Sequence, residues 1–494
     1  MSLNIRCDNV LNDLSTYEDY FFNTVFCDPP YNLGSKWIID KETGKPIIKQ
    51  AQDFMNKWDA FGHDDWDKFF DESFRVLKYG GYLLMFGMDR QLFAIQYYAM
   101  KNGFEIQQSL YWYFISNFPK ATDVGKVVDK RLGLEREIIR KTGQKCGVFA
   151  HSGNGTPQNI DDYETVITAP NSDIAKEFNG YKYSVAPLKQ VVETIMVFKK
   201  PVEQSVIDDL MSGDEKCSPS VLNIDEGRVG IEQDDKNLRL NAKNHKHNYS
   251  DSSSLGLHTS IEKEIQNMDM GRHSSKGRYP AQLFIDEQVG DVIDKQSGEL
   301  RDRGNINSEK TGGGMYGHEK FIRNKPVIGN SGGASRIVHT CNYEEEEIDL
   351  LNYNPKVSKA ERNAGLDEFE EGNYSHDGRN KHIENPYQRH DSIAKNTHPT
   401  LKPIKLIKHI MTLFKLPESV NQKIYVPFAG TFSEVIGIYK SGIKEENIYV
   451  CEKEQKWIKT GVARFNFWKD KDLSVKIKKL KVFKKGTIKK LFDK

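Results

Sequence analysis

The chain has 494 residues, enough for two or three domains of ordinary size, and its 71 Lys plus Arg against 70 Asp plus Glu leave a formal net charge of +1. A small disulfide scaffold is therefore excluded, and since whole-molecule charge selects no partner, any nucleic-acid surface must be local. The six cysteines are scattered, with no CxxC pair and no His cluster at zinc-ligand spacing, which suits a reducing compartment and predicts no metal site. MSLNIRCDNVLNDL lacks the basic and apolar regions of a signal peptide and no apolar run reaches about 18 residues, so the expectation is a soluble, cytoplasmic protein with no membrane partner.

From residue 1 to about 205, short apolar runs alternate with amphipathic stretches: LNIRCDNV, NTVFCDPPY, the helical WDKFFDESFRVLK, then YLLMFG, SLYWYFI and ETIMVFKKP. That alternation predicts a largely parallel sheet covered by helices. Trp66, Phe69, Phe70, Phe74 and Leu77 recur at helical spacing, the mark of a core-facing helix, and Gly80 and Gly81 are expected to end it. Between about 206 and 395 the composition turns polar and irregular, as in NAKNHKHNYSDSSS and TGGGMYG, which predicts loops around short ordered pieces such as YPAQLFID. From about 396 the alternation returns with the helix PIKLIKHIMTLFKL, the strand KIYVPFAG, a helix, the strand NIYVCEKE and a last helix. A sheet begins, stops for a long insertion and resumes.

The first motif with chemical content is DPPY, Asp28 to Tyr31, at the end of a predicted strand. Proline and a preceding Asp also suit an ordinary turn, and Tyr31 can be a packing aromatic. A second reading uses all four positions. The exocyclic amine of a base is a poor nucleophile because its lone pair is delocalised into the ring; a carboxylate and a backbone carbonyl accepting its two N–H bonds draw the nitrogen toward tetrahedral geometry. Pro29 and Pro30 donate no N–H and fix φ, so they hold the carbonyl acceptors rigid, and Tyr31 offers a stacking face to a base turned out of a duplex.

The second motif is the strand, turn and helix of KIYVPFAGTFSEVIGIYKSG. Small residues at such a turn let backbone N–H groups and a helix N-terminus approach a cofactor, and Glu452 ends the next strand at about the 20-residue separation where an acid meets a ribose. One glycine turn of this kind is commonplace. In HPTLKP, Thr400 can cap the following helix with Pro403 in its first turn. Asp8 reads equally as a strand-end turn residue or helix cap. Lys469 to Lys494 holds eleven lysines against three aspartates, a solvated face or a phosphate-binding tail.

Taken together, DPPY at 28–31, HPTLKP at 398–403 and VPFAGTF at 426–432 resemble, in that order, the amino-group DNA methyltransferases of the beta class. ISNFPKATDVGKVVDK, YPAQLFIDEQ and NPKVSKAERNAGLDEF are similar to phage and prophage adenine-specific DNA methylases. The resemblance implies a Rossmann-like S-adenosylmethionine-dependent α/β fold, circularly permuted, with a mainly parallel seven-stranded sheet and a large target-recognition insertion. It implies a catalytic half at 1–205, a recognition insertion at 206–395, and a cofactor-binding half with a basic tail at 396–494. Asp28, Pro29, Pro30 and Tyr31 are then catalytic, and Asp8, His398, Thr400, Lys402, Phe428, Ala429, Gly430, Thr431 and Glu452 bind S-adenosylmethionine, His398 not as a base. The implied reaction is base flipping and methylation of the N6 amine of adenine in double-stranded DNA, in a bacterial cell or a phage host. N4-cytosine is the alternative target, oligomeric state is open with a homodimer included, and a cognate restriction enzyme is an admissible partner. Val426 and Phe432 replace the Asp and last Gly of the family's turn. A bulky ring there can obstruct the cofactor, so an inactive DNA-binding relative is the second alternative.

Overall fold

The computed structural model describes residues 2–32, 36–49, 61–114, 120–145, 164–228, 279–285, 293–297, 300–301, 331–332, 339–340, 357–373 and 393–471. The basic tail beyond 471 and most of the polar span 229–356 lie outside the described residues.

Ten strands form the central sheet: β1 (Asn4–Arg6), β2 (Phe22–Cys27), β3 (Leu77–Gly87), β4 (Glu105–Ile106), β5 (Leu110–Tyr113), β6 (Val192–Lys199), β7 (Leu283–Ile285), β8 (His339–Thr340), β9 (Ile424–Val426) and β10 (Ile448–Cys451). Their order is β1-β10-β9-β2-β3-β6-β5-β7-β8, with β4 also on β6. The β1 to β3 side is parallel throughout. β6 runs antiparallel to β3, β4 and β5, and β7 and β8 are again parallel to β5. Two expectations change here. The sheet has ten strands rather than seven, because β4 and two strands from the predicted insertion, β7 and β8, extend it. It is also mixed, because β6 inserts between β3 and β5.

Both ends of the chain meet in this sheet: β9 and β10 lie between β1 and β2. All six residues of β2 are buried, as a strand covered on both faces requires. Alternate side chains serve opposite layers. Phe26, Leu84, Phe86, Val426 and Val450 pack on one face with residues of α4 (Ile404–Phe414), α5 (Ser433–Lys440) and α6 (Gln455–Lys469). Val25, Cys27, Leu83, Met85 and Tyr425 pack on the other with residues of α1 (Val10–Leu14), α2 (His63–Val76) and α3 (Asp89–Lys101). The α2 stripe of Trp66, Phe69 and Phe70 is fully buried, as its spacing predicts.

The expected glycine stop after α2 is not what ends it. The helix stops at Val76, and Gly80 and Gly81 lie inside β3. Gly80 sits at φ +75°, and a Cβ there would fall 2.6 Å from the Ser218 carbonyl oxygen, so the close passage of the 218 segment is what requires glycine. Among the described residues no helix is long and apolar enough to cross a membrane.

Candidate active site

In open α/β sheets the usable crevice lies outside the carboxyl ends of the strands, where the connections diverge. Here the divergence falls between β2 and β9: the chain leaves β2 through α2 to β3 on one side, and leaves β9 through α5 to β10 on the other. The segment after β2 is DPPY, and the segment after β9 is PFAGTF, so the two motifs sit side by side at one edge. β6 runs the other way and contributes its N-terminal end, Glu193, to the same edge.

Asp28 is held from both sides. The Tyr31 hydroxyl donates to Oδ1 at 2.9 Å, and the Lys402 ammonium donates to Oδ2 at 2.6 Å. Lys402 Nζ also lies 3.3 Å from the Tyr31 hydroxyl and 3.7 Å from Glu193 Oε2, with the Phe86 ring centre at 4.6 Å. Lys402 and Glu193 side chains are only 4% and 3% exposed. Burial, reinforced by the Asp28 charge, pushes the Tyr31 phenol well above its ordinary range, so it stays a donor. The backbone carbonyl of Tyr31 accepts from Gln91 Nε2, and Asn32, at φ +48°, exchanges two hydrogen bonds with the Phe61 backbone, closing the loop after DPPY.

Glu434, in the first turn of α5, is 6% exposed; burial and the neighbouring Asp28 charge push its carboxyl up to about 7, against the opposing pull of Lys402 and Arg464. The folded protein therefore keeps a proton that the unfolded chain releases above about 4.5, so stability falls as pH rises from about 4.5 to about 7, by about 3 kcal/mol in all. Glu434→Gln is expected to gain on the wild type at pH 8 relative to pH 5. Urea midpoints at the two pH values check it, and an equal difference at both would remove Glu434 as the source.

The turn after β9 is tied down internally. Gly430, at φ +47°, donates its N–H to Glu452 Oε2 at 2.8 Å, and the other Glu452 oxygen accepts from the Glu454 N–H. Ala429 N–H reaches the Cys451 carbonyl. Thr431 is fixed by Asn396 Nδ2 at 3.0 Å and by the buried Arg464, which donates to its carbonyl. Phe428 packs edge-on to Phe61. His398 stands over the glycine: a Cβ at Gly430 would fall 2.9 Å from its Nε2, while Nδ1 lies 2.6 Å from the Thr400 carbonyl oxygen. Burial, aided by the Arg362 and Arg464 charges, lowers the His398 imidazole to about 4, so it is neutral at pH 7.

The structure thus gathers Phe428, Ala429, Gly430, Thr431, Glu452, His398 and the Thr400 backbone around one turn. Asp8 follows the adjacent strand β1 at the same sheet edge; it is exposed, and its Oδ1 accepts from the Asn9 N–H and from Asn12. The helix cap there is Asn9. Lys402 contacts Asp28 and Tyr31 of the DPPY segment. Two expectations are altered. Thr400 does not cap α4: the cap position is Pro403, and the first free N–H, of Ile404, is taken by Glu361 Oε1 at 3.0 Å. Phe432 does not project as an obstruction; its ring is fully buried against Gly461, where an added Cβ would meet it at 2.5 Å, and Val426 is a buried core residue of β9. Glu193, Glu434 and Arg464 escaped sequence reading, because a single charged residue in an apolar run carries no signal of what it will face. A surface group of Glu203, Asp214 and Cys217, with donor atoms within 4.8 Å of one another, lies beside the start of β3, at the opposite sheet edge.

An α/β sheet with an acid-proline-proline-aromatic segment and a glycine turn on adjacent strand ends at its switch point is the architecture of this chain. The DNA methylase model of the N6/N4 type matches residues 22–459, and the chain belongs to that family of DNA methyltransferases. Similar solved structures include the M1.HpyAVI–SAM complex (9% identity, 94% of this chain and 98% of that one, TM-score 0.33). Also similar are PvuII DNA methyltransferase, cytosine-N4-specific (10%, 96% and 89%, 0.36), and the Thermus thermophilus protein TTHA0409 with S-adenosyl-L-methionine (10%, 94% and 94%, 0.31). No curated protein matches the chain.

Proposed function

We propose that this DNA methyltransferase transfers a methyl group from S-adenosylmethionine to the N6 amine of adenine in double-stranded DNA, after the base is turned out of the helix. The observation that carries the reading is the placement of Asp28 and of the Gly430 turn on adjacent strand ends at the switch point of the sheet. The fit to the cofactor rests on a glycine turn at a strand end, a buried acid at the end of the next strand and a helix beginning at Ser433, with Phe432 folded into the core. Residues 428–431, Glu452, Asp8 and His398 would hold it. When bound, S-adenosylmethionine supplies an electrophilic methyl group on a sulfonium.

The chain's own residues do the rest. Asp28 accepts one N–H of the target amine and balances the positive charge that grows on nitrogen as the N–C bond forms. The carbonyl of Pro29 accepts the other, drawing the lone pair out of conjugation, and Pro30 keeps that backbone stiff. The Tyr31 ring stacks on the base. Placing the amine in line with the methyl group provides most of the acceleration, and the surplus proton leaves after transfer without a strong base, so the neutral His398 needs no proton-transfer role. Residues 1–205 and 396–494 act as two halves of one permuted catalytic domain, and the span 206–395 supplies target recognition, with the basic tail adding phosphate contacts.

The test is incubation of the protein with unmethylated duplex DNA and S-adenosylmethionine, followed by nucleoside mass spectrometry. N6-methyladenine is expected. N4-methylcytosine would keep the clamp and change the target, and no methylated base with ample cofactor would put a DNA-binding role in place of catalysis.

A further inference from the structure

A buried lysine needs a reason, since its ammonium persists away from water only when paired and its long side chain loses rotamer freedom. Lys402 has its partners on two separate strand ends: Asp28 and Tyr31 after β2, and Glu193 on β6. Its ammonium also faces the Phe86 ring. Tyr31 completes a closed triangle by donating to the other Asp28 oxygen, so the carboxylate is gripped at both ends. We infer that Lys402 is a positioning residue for Asp28, fixing the plane in which the reacting carboxylate meets the amine. The inference rests on the methyl-transfer reading and gives Lys402 a task different from the cofactor contact that its motif implied.

A carboxylate offers about four lone-pair sites, so the two held by Lys402 and Tyr31 leave others for the amine. The groups facing Asp28 are Cys27 and Tyr31 on its own segment, Lys402 and His398 before α4, and Glu434 on α5, with Glu193 beside Lys402 and Arg464 acting on Glu434. One ammonium among three carboxyls orders the cluster without cancelling the negative charge that a positively charged transition state needs. It also opposes the upward push of Asp28 on Glu434, which therefore reports the presence of the Lys402 charge.

The experiment compares Lys402→Met and Lys402→Arg with the wild type. The Met variant is expected to lose about a hundredfold in kcat with DNA while its S-adenosylmethionine Kd, by calorimetry, stays within about threefold. Unchanged kcat with a weakened Kd would overturn the inference in favour of a cofactor contact. Lys402→Arg keeps the charge but sets its nitrogens differently, so it is expected to recover kcat only in part; wild-type kcat there would also overturn the inference. Carbon-13 NMR of labelled glutamate, with Glu434 assigned through Glu434→Gln, gives an arm independent of turnover. Its midpoint near 7 is expected to persist in the Arg variant and to rise in the Met variant, and a midpoint unmoved in the Met variant would overturn the placement of the ammonium. Failure of the wild type to methylate either base would sink the reaction while this NMR arm still decided whether Lys402 orders the cluster.

Discussion

DNA incubated with an Asp28→Ala variant and S-adenosylmethionine is expected to carry no methylated base above background, a fall of at least about 10³-fold in single-turnover rate. The expectation follows from where the carboxylate stands, at the end of β2, held by Tyr31 and Lys402 in one orientation at the switch point. Its removal takes away both the acceptor for an amine N–H and the negative charge that meets the developing cation. It also leaves the Lys402 ammonium with only Glu193 as an acidic neighbour at close range, which costs stability as well as rate. Asp28→Asn keeps the shape and a carbonyl acceptor but not the charge, so it is expected to lose less stability than Asp28→Ala and to remain slow. Cofactor and DNA affinities within about threefold of wild type are expected for both, since Asp28 is assigned no cofactor contact and its one hydrogen bond to the target amine is a small part of an affinity dominated by phosphate contacts. Wild-type turnover in the Ala variant would remove Asp28 from the reaction.

The second large effect is on stability and runs against the resemblance that motivates it. Phe432→Gly gives the turn the glycine its family carries, yet it is expected to destabilise the protein by about 2–4 kcal/mol. The fully buried ring leaves a cavity costing about 3–5 kcal/mol, offset by roughly 1 kcal/mol of relief at φ +67°. The reverse intrusion, Gly461→Ala, pushes a methyl group into the same ring and is expected to cost about 1–3 kcal/mol. Because the two positions touch, Phe432→Leu combined with Gly461→Ala is expected to cost less than the sum of its parts. Urea midpoints measure all of these. A Phe432→Gly protein as stable as the wild type would mean that the ring fills no essential space.

This pair shows where sequence reading stops. The order of strands and helices at both ends of the chain was legible because β2, β3, β9 and β10 are apolar runs and α2 and α4 are strongly periodic, and those signals are local. The DPPY and FAGTF turns were legible because proline fixes the backbone and glycine admits a left-handed turn wherever they occur. What Phe432 does was not, since its partner Gly461 comes from a different helix, and a bulky residue in a cofactor turn looks like an obstruction until the direction of its side chain is known. The same holds for Lys402, whose motif suggested a cofactor contact while its four-carbon stem carries the charge to Asp28, 374 positions away. The count of strands failed for a related reason: β7 and β8 are short pieces in a polar span, and only the pairing of β7 with β5 and of β8 with β7 marks them as sheet.

The strand order also has a consequence for how the chain comes into being. β1 and β2 are made first, yet in the sheet they are separated by β10 and β9, which are made last. At roughly 5–20 residues per second, the ribosome takes on the order of tens of seconds to deliver the strands that fill that gap. Throughout that interval the buried strand β2 lacks its β9 neighbour and presents an open edge, a state that invites aggregation or a holding chaperone. The Asp28 carboxylate waits equally long for its lysine. Synthesis and assembly of the site are thereby coupled: a polypeptide released before Lys402 and the Gly430 turn emerge carries the DPPY segment without its neighbours at the switch point.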